Sequence, residues 1–464
     1  MNGADAIPGL PKVLYLAHAL PPEELSGTPL ITLAYANEMA GRGWSVTVLY
    51  GSSEVTDWDA VAPRKEDGEE FVRIAVPAIG DQGPFWSLCA ASEAFEPTGA
   101  PSACIERVLD DVAPDLLHVV DNVNLPLDWP ERAAARGIPV VRTVSCVEDL
   151  CGLIAPVSPL SDSVGYCLPP LTPDRCARCV ASTSLDHASA QRLQRSLRKP
   201  PQGGVALPAS PTDARGAGDF EVVATVTELL ERKRARAVAQ YTETFTRVIF
   251  SSRRLRAYFE RSLPLDPSRV RIVPIGIDPT GVATSPRRDG PVVFAYAGAL
   301  DEAKGLNAIS DAFLHVTMLA RNDYELVLFG RGDEGLIAEL LAGNSRVTWR
   351  GGYEPQDLPE LLADVSVGLS TSRFETFHRV TREYLFAGIP VIGSTTFGIP
   401  EVIRHGYNGL LFDHAVPGAL LRAVTACLDD PALLARLTEG ADATAVRSVR
   451  QEVDQLVGIY QECV

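Results

Sequence analysis

The sequence predicts an α/β protein built from two doubly wound domains, and three observations carry that prediction. At 464 residues the chain exceeds what a single core ordinarily encloses. Short apolar runs alternate with stretches of helical periodicity from Lys12 to Val144, and a second such alternation starts at Val292. That pattern belongs to parallel strands joined by crossover helices. Hydrophobic content of 46% with 22% charged residues is that of a soluble globular protein. A net charge of −17 argues against a nucleic-acid-binding surface or a basic membrane patch, while leaving room for a local pocket for phosphates.

In chain order, K-V-L-Y-L-A from Lys12 is the first strand, followed by a Pro-rich loop and S-G-T-P. Residues 30–42 have helical periodicity, and S-V-T-V-L-Y is the next strand. V-R-I-A-V-P, a helix over 105–112, D-L-L-H-V-V, a helix over 130–136 and I-P-V-V-R-T-V continue the alternation. His18 and His118 fall near strand ends, as polar groups close to where such sheets bind ligands.

A cysteine-rich stretch then interrupts the pattern. Of nine cysteines, five lie between Cys146 and Cys179. Cys151, Cys167, Cys176 and Cys179 have the spacing C-x15-C-x8-C-x2-C. Four thiolates in one Pro-rich loop are expected to close a tetrahedral, structural zinc site, with Cys146 as an alternative ligand. Residues 195–218, rich in Pro, Gly and Ser, read as a loop. A long helix over 220–245, the strand R-V-I-F-S-S and the run R-V-R-I-V-P-I-G-I-D complete the first half. A linker is expected over 278–290.

The second half opens with the strand P-V-V-F-A-Y-A-G, the tight loop G-A-L-D-E-A-K-G and a helix over 306–319. Y-E-L-V-L-F-G, R-V-T-W-R-G and V-S-V-G-L-S add strands. The most informative stretch follows: R-F-E-T-F-H-R-V-T-R-E-Y-L-F-A-G-I-P-V-I-G-S. Val380, Tyr384 and Leu385 mark a helix over 378–387 that Gly388 and Pro390 stop, and Val391-Ile392 is a short buried strand. Glu375 precedes the helix and Glu383 lies about 12 Å further on at 1.5 Å per residue. A helix start attracts phosphate, so two carboxylates flanking one suit the two ends of a nucleotide sugar.

That Glu-x7-Glu stretch, with G-I-P-E-V-I and H-G-Y-N-G-L-L-F after it, resembles the family 4 retaining glycosyltransferases of the GT-B fold. The resemblance implies two Rossmann-like domains facing each other across a cleft. It assigns 1–280 to an acceptor domain with a Cys-rich insertion at 146–180, and 286–444 to a donor domain. A final helix in 445–464 would pack back on the first domain. Some family members also carry a four-cysteine loop after the same strand. By the same resemblance Glu375 faces the donor sugar, Glu383 binds the ribose hydroxyls, and Lys304 in E-A-K-G meets the diphosphate. Backbone groups of Thr376, Phe377, His378 and Arg379, together with Gly298, Gly27 and Thr28, join the donor-binding set.

The chain departs from the family pattern at several positions. Ala299 stands where the family has an Arg, and Arg379, Arg382 and Arg331 are candidates to replace its charge. Ser26 alters one of the paired glycines, Ser145-Cys146 stand for a His-Asp pair, and Phe397 stands for a Gly. No Asp-x-Asp pair has a setting suited to a divalent ion, so transfer without a catalytic metal is expected.

The chemistry implied is retaining transfer of a hexose-type sugar from a nucleoside diphosphate sugar, UDP before GDP, to an unassigned small-molecule, lipid or glycan acceptor. Two alternatives are a non-catalytic donor- or partner-binding subunit and a nucleotide-sugar epimerase on the same fold. The N-terminal residues lack the pattern of a secretion signal, and no apolar run is long enough for a transmembrane segment. A cytoplasmic protein is therefore expected.

Overall fold

Strand β1 (Lys12–Ala17) is buried along nearly its whole length and seeds the first sheet. It pairs in parallel with β2 (Ser45–Ser52) on one side and β5 (Leu116–Val119) on the other. The computed structural model describes residues 11–25, 27–79, 99–123, 125–151, 167, 171–182, 217–278, 290–332, 334–342 and 344–464. Two compact units divide the chain. One comprises Met1–Leu160, Leu168–Val273 and Val449–Val464, the other Ser161–Cys167 and Pro274–Ser448.

In the first unit, β3 (Pro63–Arg64), β4 (Val72–Pro77), β6 (Val140–Val144), β7 (Arg247–Phe250) and β8 (Val270–Ile272) extend the sheet in the order β3-β4-β2-β1-β5-β6-β7-β8. All neighbours are parallel except β3 and β4. The crossovers include α1 (Gly27–Gly41), α2 (Ala100–Val112) and α3 (Trp129–Ala135). The helices α4 (Pro173–Ser182), α5 (Ala217–Ala239) and α6 (Arg253–Glu260) follow. The loop expected over 195–218 lies outside the described residues up to position 216, and Ala217 opens α5. The linker expected over 278–290 lies outside them from 279 to 289.

The second unit repeats the plan with β9 (Val292–Ala297), β10 (Tyr324–Phe329), β11 (Val347–Trp349), β12 (Val367–Ser370), β13 (Val391–Ser394) and β14 (Gly409–Phe412). Their order is β11-β10-β9-β12-β13-β14, all parallel. Phe294 and Tyr296 of β9 pack into the core on one face of the sheet, and Ala295 and Ala297 into the core on the other. Burial on both faces makes a parallel strand read as a continuous apolar run. The helices are α7 (Leu306–Met318), α8 (Glu334–Leu341), α9 (Leu358–Leu362), α10 (Arg379–Phe386), α11 (Ala419–Asp429) and α12 (Pro431–Asp442). Gly368 lets α10 lie close on the sheet, because a Cβ there would sit 2.4 Å from the Tyr384 ring.

The last helix, α13 (Val449–Gln461), belongs to the first unit. Val453, Leu456, Ile459 and Tyr460 are buried in its core. Tyr460 shares hydrogen bonds with His118 and Tyr15, and Glu452 accepts from Tyr35. The other ring nitrogen of His118 meets Thr143 Oγ1 at 2.7 Å, and burial, reinforced by Arg142, lowers its pKa to about 3. His118 is a neutral core residue. Two Rossmann-like sheets, one in each unit, are therefore the architecture.

Candidate functional site

The chain leaves β12 through Thr371 and Ser372, both fully buried, and reaches α10 at His378. His378 is the N-cap, at φ 56° in the left-handed region, and its ring Nδ1 accepts from the Thr381 backbone N–H at 3.2 Å. Thr381 Oγ1 lies 2.7 Å from the same nitrogen and donates to Ser370 Oγ at 2.8 Å. With Nδ1 accepting, the neutral ring carries its proton on Nε2. Burial lowers the His378 pKa to about 4, against the pull of Glu375, so the ring is neutral at pH 7. The helix start is thus held by an aromatic cap, and its first-turn N–H groups point beyond Arg379.

Glu375 stands just before that start, 16% exposed, and its Oε2 accepts from Lys304 Nζ at 2.7 Å. Burial alone would raise the carboxyl pKa. Lys304, then His378 with its backbone N–H, more than offset burial and bring it down to about 2. Lys304 is held by its own loop: its N–H donates to Asp301 Oδ1 at 2.8 Å and its carbonyl accepts from Thr371 Oγ1 at 3.0 Å. Gly305 follows at φ 84°, where a Cβ would meet Thr371 O at 2.0 Å, so only glycine lets this loop press against the end of β12. Lys304 is 36% exposed, which leaves its ammonium within reach of a ligand.

Glu383, one turn into α10, is 7% exposed and accepts from Arg379 Nε at 2.5 Å. Burial raises its pKa and Arg379 opposes the rise. Arg382 is buried and lies 3.7 Å above the Phe377 ring, with its guanidinium donating to the Phe377 and His378 carbonyls. Of the three arginines considered as replacements for the charge absent at Ala299, Arg382 is thus engaged in buttressing the loop and Arg379 in pairing with Glu383. Arg331 is exposed.

The structure brings Lys304, Glu375 and His378 together, with Thr376 and Phe377 buried in the intervening loop. Gly298 follows β9, its N–H donating to Phe329 O at 3.0 Å. Gly27 and Thr28 lie in the first turn of α1 in the other unit. Phe397 packs edge-on against Phe374 at 4.8 Å, and the next N–H, from Gly398, donates to Glu375 O at 3.2 Å. The side chain present in place of the family's glycine thus closes over the loop that carries Glu375. Asp301, Thr371 and the cap formed by the His378 ring were not singled out in the sequence. The Asp three residues before Lys304 was the one readable sign among them.

The zinc site expected at Cys151, Cys167, Cys176 and Cys179 is not found. All four cysteines are buried, and none is in a disulfide. Among the described residues no group of three or more His, Cys, Asp or Glu is placed to hold a metal ion. Cys176 and Cys179 lie within α4 rather than on a turn, and Arg234 Nη2 of α5 reaches Cys176 Sγ at 3.1 Å. A guanidinium at that sulfur disfavours a second cation. Arg234 also donates to the Leu150 and Leu171 carbonyls, and Lys233 to Cys151 O at 3.2 Å. Two basic side chains from α5 hold the segment that zinc was expected to staple.

Residues 282–444 match the family described as "Glycosyl transferases group 1". The chain is 28% identical over 180 residues to the alpha-D-kanosaminyltransferase of Streptomyces kanamyceticus, covering 38% of this chain and 46% of that protein. It is 26% identical over 121 residues to a GDP-mannose-dependent alpha-mannosyltransferase of Corynebacterium glutamicum, covering 26% and 27%. The chain therefore spans less than half the length of these relatives. In fold it is similar to sucrose-phosphate synthase from Thermosynechococcus elongatus, with TM-score 0.62 and 17% identity over 98% of both chains.

Proposed function

We propose that this chain, whose residues 282–444 match the group 1 glycosyltransferases, is a family 4 enzyme of GT-B fold that transfers a hexose-type sugar with retention from a nucleoside diphosphate sugar to an acceptor hydroxyl. The observation that carries this reading is the Lys304–Glu375 pair at 2.7 Å beside the capped start of α10. A diphosphate leaving group gains negative charge as the glycosidic bond breaks, and an ammonium with helix-start N–H groups already in place lowers that barrier. Lys304 turns from Glu375 to the diphosphate, and the released Glu375 carboxylate accepts from sugar hydroxyls. It orders the sugar and does not attack carbon. Glu383 receives the ribose hydroxyls, with Arg379 fixing its orientation. Gly298 joins the donor-binding set of the second unit in this reading.

UDP is the base we favour and GDP the alternative, the latter supported by the name of the corynebacterial relative. With Lys304 supplying the positive charge, a divalent ion has no part in this reading. None of the eight cysteines among the described residues is in a disulfide, which fits a reducing, cytosolic setting. No helix among the described residues is long and apolar enough to cross a membrane.

Incubating the chain with UDP- and GDP-hexoses while following nucleotide release tests the proposal. Release that Lys304→Ala slows by about 10²–10³ is expected, and no release from any donor contradicts it. Ala299 favours one other reading, a donor-binding subunit without turnover. That reading predicts nucleotide-sugar binding with no release.

A further inference from the structure

The loop that carries Glu375 leaves the carboxyl end of β12, and the amino end of the same sheet holds a cavity that the transferase reading leaves unused. Its volume is about 260 Å³. Val292 opens β9, while Ser366 and Pro390 directly precede β12 and β13, so the cavity sits at the amino ends of three neighbouring strands. Every residue that lines it belongs to the second unit.

The walls are largely apolar. Pro431, Leu434, Ala435 and Thr438 recur at i, i+3, i+4 and i+7, so α12 turns one face to the cavity. Val365 and Ile389, 6% and 2% exposed, line it from the segments that lead into β12 and β13. Its hydroxyls are already engaged. Ser366 Oγ accepts from the Val293 N–H at 3.1 Å, and Thr438 Oγ1 donates to the Leu434 carbonyl at 2.9 Å. Among the described residues that line the cavity, Asp364 supplies the carboxylate and none is basic.

Two helix ends set the sign of the ligand. α10 runs out at the cavity, where Gly388, at φ 72°, and Ile389 donate their N–H groups back to the Leu385 and Tyr384 carbonyls. No basic residue stands in the last turn of α10, so nothing within the helix offsets its negative end. α12 begins at the cavity with Pro431, which has no N–H, and Asp430 caps that start by accepting from the Leu433 N–H at 2.9 Å. The positive end of α12 is therefore answered by its own carboxylate. A cation with a hydrocarbon body suits these walls, and an anion does not.

We propose that this cavity binds a small organic ammonium, its charged head at Asp364 and the end of α10, its hydrocarbon part against the α12 face. The volume falls just below that of pockets for drug-sized ligands, about 300–1,000 Å³, which limits the ligand to a compact amine. The site stands whether or not the chain is a transferase.

Saturation-transfer NMR titrations of the full chain with cyclohexylammonium, cyclohexanol and cyclohexanecarboxylate, one ring with three heads, test this. Cyclohexylammonium should bind at least fivefold more tightly than cyclohexanol, and the carboxylate should give no signal. Asp364 is exposed, so Asp364→Asn should fold; it should remove the advantage of the ammonium and leave cyclohexanol binding as it was. Ala435→Leu fills the cavity from α12 and should abolish both signals. Saturating UDP should displace neither probe, since the donor site lies at the other end of β12.

Carboxylate bound as tightly as ammonium, no binding of any probe, an order unchanged in Asp364→Asn, probe binding unchanged in Ala435→Leu, or displacement by UDP overturns the proposal. Should Ala435→Leu not fold, Asp364→Asn decides alone.

Discussion

Lys304 and Glu375 neutralise each other in the absence of ligand, so each is poised to exchange its partner for part of the donor. Removing the ammonium should act mainly on the transition state. Lys304→Ala is expected to lower kcat/KM by about 10²–10³, the usual cost of losing one donor aimed at developing charge. Lys304→Arg should recover part of it, and steady-state nucleotide release reads both. The pair also links stability to pH. Folding lowers the Glu375 pKa to about 2, against about 4.3 in the unfolded chain. Its stabilisation is therefore fully present above the unfolded value and is lost as pH falls toward the folded one. Melting curves should show Glu375→Gln less stable than the parent at pH 7, with the gap closing between about pH 4 and pH 2. A gap that widened on acidification would contradict the ion pair. The Glu-x7-Glu spacing drew attention to Glu375 and Glu383, and the surrounding family-like pattern suggested their roles. Lys304, 71 residues from Glu375, likewise depended on resemblance, because spacing along a chain does not say which loops meet.

At the scale of elements, the strands were the most readable part. β1 and β9 are buried on both faces and leave unbroken apolar runs. Helix ends were less readable. Apolar periodicity begins at Leu30, but α1 starts at Gly27, since Thr28 and Pro29 add nothing to an apolar pattern although both residue types suit a first turn. The helix expected to run through 220–245 ends as an α-helix at Ala239 and continues as a π-turn over Gln240–Thr244, a change that leaves no mark in residue type. The cysteine spacing was ambiguous because C-x2-C fits a helix face as readily as a metal knuckle, and the basic residues that reach the segment come from distant α5. Two substitutions probe these contacts. Gly368→Ala pushes a methyl into the Tyr384 ring and should cost roughly 1–3 kcal/mol in urea unfolding. Tyr460→Phe strips His118 and Tyr15 of a shared buried partner and should cost about 1–3 kcal/mol.

For the whole molecule, the repeated strand–helix plan made two α/β units legible, while the acceptor could not be read, because loops on this fold vary independently of the scaffold that carries them. The ends of the second unit are tied together, with Ile277 N–H donating to Arg447 O at 2.9 Å. Its core is contributed by residues from Phe294 to Ala441. A fragment of residues 274–448 should therefore fold by itself and bind nucleotide, which circular dichroism and a UDP titration would check. The central claim is that a nucleoside diphosphate sugar is held by Glu383, Glu375 and Lys304 at the start of α10. Calorimetric titration of the full chain and its Glu383→Ala variant with UDP tests it most directly. The account predicts one-to-one binding that the substitution weakens at least tenfold, and equal affinity in the two proteins, or no binding of UDP or GDP to either, would contradict it.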